Sequence, residues 1–376
     1  MKKLDYIDAL RGLAVLAVIM VHTGQYGSFI VPHIFKHIVQ QGAAGVQLFY
    51  IASAFTLFLS FQSRSQKEAS PVRNFFIRRF FRIAPMYYIG IVYYLFQNGL
   101  GATYYLGDQT HITVLNIASN FLFLHGFNAY WINSVVPGGW SIAVEMTFYA
   151  ILPFLFSKIK NVSQAFNFFV ITLIIRIIVN AIFHMFPLIG FDRLWNDYLF
   201  FYFPNQLPVF ALGIMAYFII YNNEVSNTNL SGKALLVFCC IILYQLITGH
   251  TEAFSDIIYY GLAFSILCVA LSRYRLTIIV NPVTKYIGQL SFSMYLVHFA
   301  VLNLLTKNNF IDYFNNGILN YTCRYILVVL LSMLISVVFY KLIEIPFQNI
   351  GKRIIKKLEN KGNYTSVSEQ ISAKEW

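Results

Sequence analysis

Charge is scarce in this 376-residue chain. Asp, Glu, Lys and Arg make up 11% of it, against about a quarter of an ordinary soluble domain. Acidic residues number only 15. A soluble protein of this size would need far more polar surface, so the composition excludes a cytosolic globular enzyme. An apolar share of 58% excludes a disordered chain. Cysteine is equally sparse. Cys239, Cys240, Cys268 and Cys323 all lie in apolar runs, without metal-ligand or disulfide-framework spacing, and read as small apolar residues. Common catalytic signatures are missing as well: there is no P-loop, no G-x-S-x-G elbow, no H-E-x-x-H, and no His with an Asp five positions on. Nucleotide hydrolysis, serine-hydrolase, zincin and phospholipid-type acyltransferase chemistry therefore lack their residues.

Long apolar runs are what the chain has in abundance. They lie at about 7–26, 42–61, 83–99, 112–126, 140–157, 165–186, 204–221, 233–249, 256–272, 286–305 and 321–343. A membrane-crossing helix needs roughly 20 mostly apolar residues. The 112–126 run is short and contains Asn116, Ser119, Asn120 and His125. It is expected to be re-entrant or peripheral, a state tolerated only under protein cover. With ten spans and both termini cytoplasmic, all but five of the 27 Lys and Arg fall inside or at the inner boundary. Letting 112–126 cross would destroy that bias. The expected fold is thus an all-α polytopic membrane bundle of about ten transmembrane helices. The net charge of +12 serves orientation against anionic lipid rather than nucleic-acid binding. The first run carries Arg11 and no small-residue cleavage site, and reads as a retained span. Residues 1–345 form the membrane domain, and 346–376 a short basic cytoplasmic tail, interfacial or disordered. No internal repeat is visible.

Ionisable groups inside spans cost about 2.5–3.5 kcal/mol each on insertion scales, so each asks for a reason. Arg11 and His22 are eleven residues apart. That is three helical turns, so they share one face, about 16 Å apart along the axis. Glu145, beside Trp140 and Ser141, and His298 are expected at a depth similar to His22, where the carboxylate or the second histidine would orient the first imidazole. The alternative for His298 is a structural histidine paired across helices. Arg79 and Arg82, with Arg78, lie three apart at a cytoplasmic boundary, where planar guanidinium forks suit phosphate. A plain lipid-headgroup anchor would also need them. His33 and His37 read as a solvated pair. His111, His125, His184 and His250 read as span-end polar residues, Arg176 as needing a structural partner, and Arg324 as snorkelling.

With those residues in view, the chain resembles the acyltransferase-3 family of bacterial integral-membrane O-acyltransferases. The likeness begins at YIDALRGLAVLAVIMVH and continues through QLFYIASAFTLFLSF, RRFFRIAP, WSIAVEMTFYAILP, PVFALGIMAYF, SFSMYLVHF and EIPF, in order, over about residues 5 to 347. At Ser53-Ala54 the family often has Ser-Gly, so a tight backbone approach at Ala54 is in question. The resemblance implies transfer of an acyl group, most often acetyl, from cytoplasmic acyl-CoA to a hydroxyl of an extracytoplasmic or lipid-linked glycan, at the inner membrane. It implies His22 as the essential catalytic residue, Arg11 on the same helix, Arg79 and Arg82 on the CoA side, and Glu145 supporting the reaction centre. Trp140 and Ser141 are candidates for the substrate or oxyanion. Acyl-CoA is a substrate, so no permanent cofactor and no metal are expected. Some members carry a fused periplasmic hydrolase-like domain. The tail here is too short to hold one, so acceptor delivery is expected to use the membrane domain alone or a separate partner. The competing expectation is a secondary transporter or flippase for a lipid-linked glycan, since buried Arg, His and Glu also suit proton-coupled transport.

Overall fold

The computed structural model describes residues 4–27, 30–101, 111–221, 231–248 and 256–372, with side chains to 360. His250 lies outside the described residues. Within them the protein is helix and loop, with one isolated bridge between Gly101 and His111 and no strand. It is an all-α, multi-pass membrane bundle. Eight helices or helix pairs are long and apolar enough to cross a bilayer. The apolar but shorter Gly232–Thr248 and the arginine-headed Pro71–Asn98 accompany them.

Helix α1 (Asp5–Thr23) is the axis of the site. Asp5 and Asp8 in its first turn suit the positive end of the helix dipole. Its main partner is α12 (Pro282–Lys307), started by Asn281, whose side chain accepts from the Thr284 amide in a capping box. The two helices touch backbone to backbone at Gly12 and Gly288. A Cβ on Gly288 would lie 1.7 Å from the Asp8 carbonyl oxygen, and one on Gly12 2.2 Å from that of Thr284. Only glycine permits this approach, the usual device where no hydrophobic effect drives helices together. Lys285 Nζ to Asp5 Oδ2, 2.8 Å, pins the same end. His22 and His298 each lie ten residues beyond their glycine. Two parallel helices locked at the glycines therefore carry both imidazoles to the same height, about 15 Å further on.

Helix α3 (Gly45–Ser65) and the 3-10 turn before it, Gln41–Ala44, pack on α1 through Gly45 and Gly42, which meet the Ala14 and Ala17 carbonyls. The tight approach in question at Ala54 exists, but the missing Cβ belongs to the partner. Gly213, on α9 (Phe203–Tyr221), is where a Cβ would come within 2.8 Å of the Ala54 Cβ. Helix α13 (Gly317–Phe339) completes the surround, with Tyr321 and Tyr325 donating to the Met20 and Leu16 carbonyls of α1. Helix α4 (Pro71–Asn98) starts twelve residues before the expected span, so the arginine cluster is part of one continuous helix.

Helix α5 (Val114–Phe121) is eight residues long, about 12 Å, too short to cross. Its polar residues face protein: Asn116 Nδ2 donates to Ser134 Oγ at 2.8 Å, and Tyr87 donates to Asn120 Oδ1 at 3.0 Å. After the irregular stretch to 138, α6 (Gly139–Lys158) begins behind Gly138, whose φ of 76° suits glycine. Helix α8 (Asp192–Phe201) leads into α9. The tail is helical rather than loose. A π-turn at Tyr340–Glu344 leads into helix α14 (Ile345–Ser372), which docks on α4. Gly351 lies against Phe81, and the Glu359 carboxylate accepts from the Ala69 amide at 2.7 Å and from Asn74 Nδ2 at 2.8 Å.

Arg176 has the structural partner it needed, donating from Nε to Asn205 Oδ1 at 2.6 Å. Arg324 does not snorkel. It is buried and donates to the Ile311 carbonyl at 2.9 Å and to Asp312 at 3.3 Å, because the 308–316 turn folds its carboxylate back over the helix.

Candidate active site

Two cavities lie along one face of α1. The first holds Arg11, Arg79 and Arg82, with Ser53, Ser141, Glu145, Tyr149 and Tyr295, around about 650 Å³ of empty space. Among the described residues none of the three arginines forms a salt bridge. Arg11 donates to Thr56 Oγ1 at 2.9 Å, which anchors its stem against α3. Arg79 lies over the Phe75 and Tyr149 rings at 5.7 and 5.8 Å, and its buried Nε has no hydrogen-bond partner among the described residues. Arg78 is different: Glu68 takes it in a two-pronged pair at 2.8 and 3.0 Å. Three guanidiniums converging on one cavity with a single carboxylate, Glu145, are costly in a low dielectric unless a further anion completes them. A headgroup anchor would not need to line a cavity inside the bundle.

The second cavity holds His22, Gln25, Gln47, Asn133, Trp140, Asp197 and Tyr295, around about 930 Å³. His22 Nδ1 is 3.2 Å from Gln25 Oε1. A carbonyl oxygen accepts only, so this bond places the proton on Nδ1 and leaves the Nε2 lone pair available. The His22 ring is 5.4 Å from the His298 ring and 4.4 Å from Phe299, centre to centre. His298 is fully buried, its Nδ1 3.2 Å from the Met294 carbonyl and its Nε2 without a partner among the described residues. A buried amide pair, Gln47 Nε2 donating to Gln206 Oε1 at 3.1 Å, holds the wall where α3 meets α9.

Sequence reasoning expected His298 at the depth of His22 and Arg79 with Arg82 at the cytoplasmic boundary; the structure sets the two histidines side by side and brings Arg11 to the two arginines. Glu145 is placed elsewhere than expected. Its Oε1 accepts from Ser53 Oγ and Tyr149 Oη, both at 2.5 Å, inside the arginine cavity rather than at the histidines. The reason is helical rise. Trp140 on α6 reaches the histidine cavity, and Glu145, five residues on, sits about 7.5 Å further toward the arginines. Ser141 lies between, with Oγ donating to the Gly138 carbonyl at 3.0 Å and 2.7 Å from Tyr295 Oη. His125 is buried rather than at an interface: its Nε2 lies 3.1 Å from Tyr87 Oη and 3.0 Å from the Gly139 carbonyl. Gln25, Tyr149 and Tyr295 were missed. Each is three or four residues from a singled-out group on the same helix or just past its end, where side chains meet, and that spacing was a usable signal.

The family described as "Acyltransferase domain" matches residues 4–341. The chain belongs to the acyltransferase-3 family. A protein of Staphylococcus aureus (strain COL), provisionally named an O-acetyltransferase, is 22% identical over 395 residues, covering 96% of this chain and 60% of that protein. The peptidoglycan O-acetyltransferase of Listeria monocytogenes is 24% identical over 386 residues, 93% of this chain and 56% of its own length. A protein of Acidianus two-tailed virus, provisionally named an acetyltransferase, is 24% identical over 307 residues, 80% of this chain and 83% of its own. The chain thus spans little more than half of the bacterial relatives. No solved structure matches it.

Proposed function

We propose that this membrane enzyme moves an acetyl group from cytoplasmic acetyl-CoA to a hydroxyl of an extracytoplasmic or lipid-linked glycan, at the inner membrane. One observation carries the reading: three arginines without a salt-bridge partner among the described residues, and a histidine whose Nδ1 meets Gln25, line adjoining cavities at two heights of one helix. The relatives named as O-acetyltransferases support the acetyl group and the oxygen acceptor. The positive-inside bias puts the arginine end at the cytoplasm, where CoA is.

In this reading Arg79, Arg82 and Arg11 hold the CoA phosphates by charge-assisted forks. The thin pantetheine arm enters the bundle and brings the thioester toward His22, about 16 Å from Arg11 along α1. The acceptor approaches through the second cavity, where Trp140 offers an apolar face and Asp197, Gln25 and Gln47 offer hydroxyl partners. As the acceptor oxygen attacks the thioester carbonyl, His22 Nε2 takes its proton. The Gln25 oxygen holds the Nδ1 proton throughout. The C–S bond then breaks, and the sulfur leaves as the thiol with the proton from the imidazolium. General-base help of this kind is worth about 10²–10⁴-fold. Glu145 acts on the donor side: with both hydroxyls bound to it, it fixes Ser53 and Tyr149 around Arg79.

The test uses purified full-length protein in detergent with radiolabelled acetyl-CoA and a crude lipid-linked glycan fraction. Label should pass to glycan with the wild type and not with His22→Ala. Near-normal transfer by that variant, with the wild type active, refutes the assignment.

A further inference from the structure

Tyr295 lines both cavities. Val46 of α3 does too, but it is a small apolar wall. The tyrosine ring stands edge-on to Phe49 at 6.1 Å, on the arginine side, and 5.9 Å from the His298 ring on the other. Its hydroxyl lies 3.0 Å from the Gly138 carbonyl oxygen and 2.7 Å from Ser141 Oγ. Ser141 Oγ is itself 3.0 Å from that same carbonyl. Two hydroxyls carry two protons between them, and three hydrogen bonds compete for those protons. The latch can therefore exchange donors without leaving a buried group unpaired. Gly138 makes room for it: a Cβ there would lie 2.8 Å from Tyr295 Oη. Ring and latch together stand where the two cavities adjoin.

We propose, resting on the function above, that Tyr295 is the partition between the donor and acceptor cavities, a positioning residue that yields to the thioester and otherwise keeps acceptor-side water from it. Without such a wall the bound donor is wasted. A water oxygen would bond to the thioester carbonyl carbon, the C–S bond would break, the sulfur would leave as the thiol with a proton from that water, and acetate would be released. Water competes well with a dilute acceptor, so an open path costs coupling rather than donor binding.

The test measures two rates on full-length protein in detergent: acetyl-CoA hydrolysis without acceptor, and acetyl transfer with it. Tyr295→Ala should raise the ratio of hydrolysis to transfer at least tenfold while CoA affinity stays within about twofold. Tyr295→Phe keeps the ring but loses the latch, and should raise the ratio by a smaller factor, about threefold. The Phe variant changes one atom and preserves the packing, so it gives an answer even if the Ala variant does not fold. If both rates fall together in Tyr295→Phe, or the ratio stays at the wild-type value, the partition is overturned while wild-type transfer leaves the function standing. If the wild type transfers nothing, the function itself fails and the partition falls with it.

Discussion

Removing Arg79 and Arg82 together should separate binding from folding with opposite signs. A hydrogen bond to a charged group is worth about 1.5–3 kcal/mol. If each arginine holds one phosphate, the pair contributes about 3–6 kcal/mol, or roughly 10²–10⁴-fold in CoA affinity, at 1.4 kcal/mol per tenfold. Stability should move little or rise. The three cavity arginines repel one another without a salt-bridge partner among the described residues, and Arg79 Nε is buried and unbonded there. Deleting two of three like charges relieves that repulsion, less the lost attraction of Arg82 for Glu344. The attraction of the Arg79 cation for the Phe75 and Tyr149 rings is worth about 0.5–2 kcal/mol, and its removal offsets part of the gain. Arg78→Ala is the control. It breaks the paired Glu68 interaction, so it should lower the melting temperature and leave CoA affinity nearly intact. The assay is titration of CoA into detergent-purified protein, alongside thermal unfolding without ligand. Pantetheine, which lacks the phosphates, should bind the wild type and the double variant alike. CoA affinity within twofold of wild type in a folded double variant would refute the anion site.

Three further outcomes are expected. Gln25→Ala should slow acetyl transfer about tenfold without changing CoA affinity, because one neutral hydrogen bond of about 1–1.5 kcal/mol no longer fixes the His22 tautomer; an unchanged transfer rate would deny Gln25 that part. Gly288→Ala places a methyl 1.7 Å from the Asp8 carbonyl, so α1 and α12 must separate at an overpacking cost of about 1–3 kcal/mol or more, and unfolding temperature and transfer should both drop; a wild-type profile would show that the crossing is not tight. Glu359→Ala removes the acceptor for the Ala69 amide and Asn74 at the start of α4, for about 1–2 kcal/mol of stability, read by thermal unfolding, while transfer by the folded protein stays within a few-fold.

Most of the fold was legible because the signals that carry it are local. Span length and hydropathy reveal a membrane helix without knowledge of its neighbours, and each of the ten runs expected to cross coincides with a helix. The polar content of 112–126 marked it as covered by protein, and Asn116 and Asn120 are indeed spent on Ser134 and Tyr87. The site was legible where one helix holds it. Arg11 and His22 share a stripe by arithmetic alone. What failed was depth between helices. Glu145 was expected beside His22 because both lie in the outer parts of their spans, but hydropathy does not fix a helix vertically to the few ångströms that separate the two cavities. Arg324 went the same way: whether a cation snorkels or pairs depends on a turn that brings Asp312 back, which no window over its own helix contains. The docked tail was invisible for a similar reason. Its Gly351 contact and Glu359 cap lie far in sequence from the α4 residues they meet.

The arrangement of charge also bears on how a donor and an acceptor on opposite sides of a membrane meet without a leak. A proton-coupled transporter needs titratable groups in relay from one face to the other. Here, besides the carboxylates of Glu145 and Asp197, the ionisable residues of the two cavities fall into two sets of different kind. One set is guanidinium, which does not give up its proton in proteins and can only hold an anion. The other is a pair of imidazoles, one carrying a tautomer set for accepting a proton at Nε2. Between them stand Tyr295, Ser141 and a backbone carbonyl, which lock to one another rather than to a conducting chain. Glu145, whose carboxylate would otherwise bridge the sets, is held by Ser53 and Tyr149 on the guanidinium side. Under the function proposed above, holding an anion at one height, taking a proton at another and keeping a wall between them would be the division of labour that acyl transfer across a bilayer requires, because only the thin arm of the donor would have to pass.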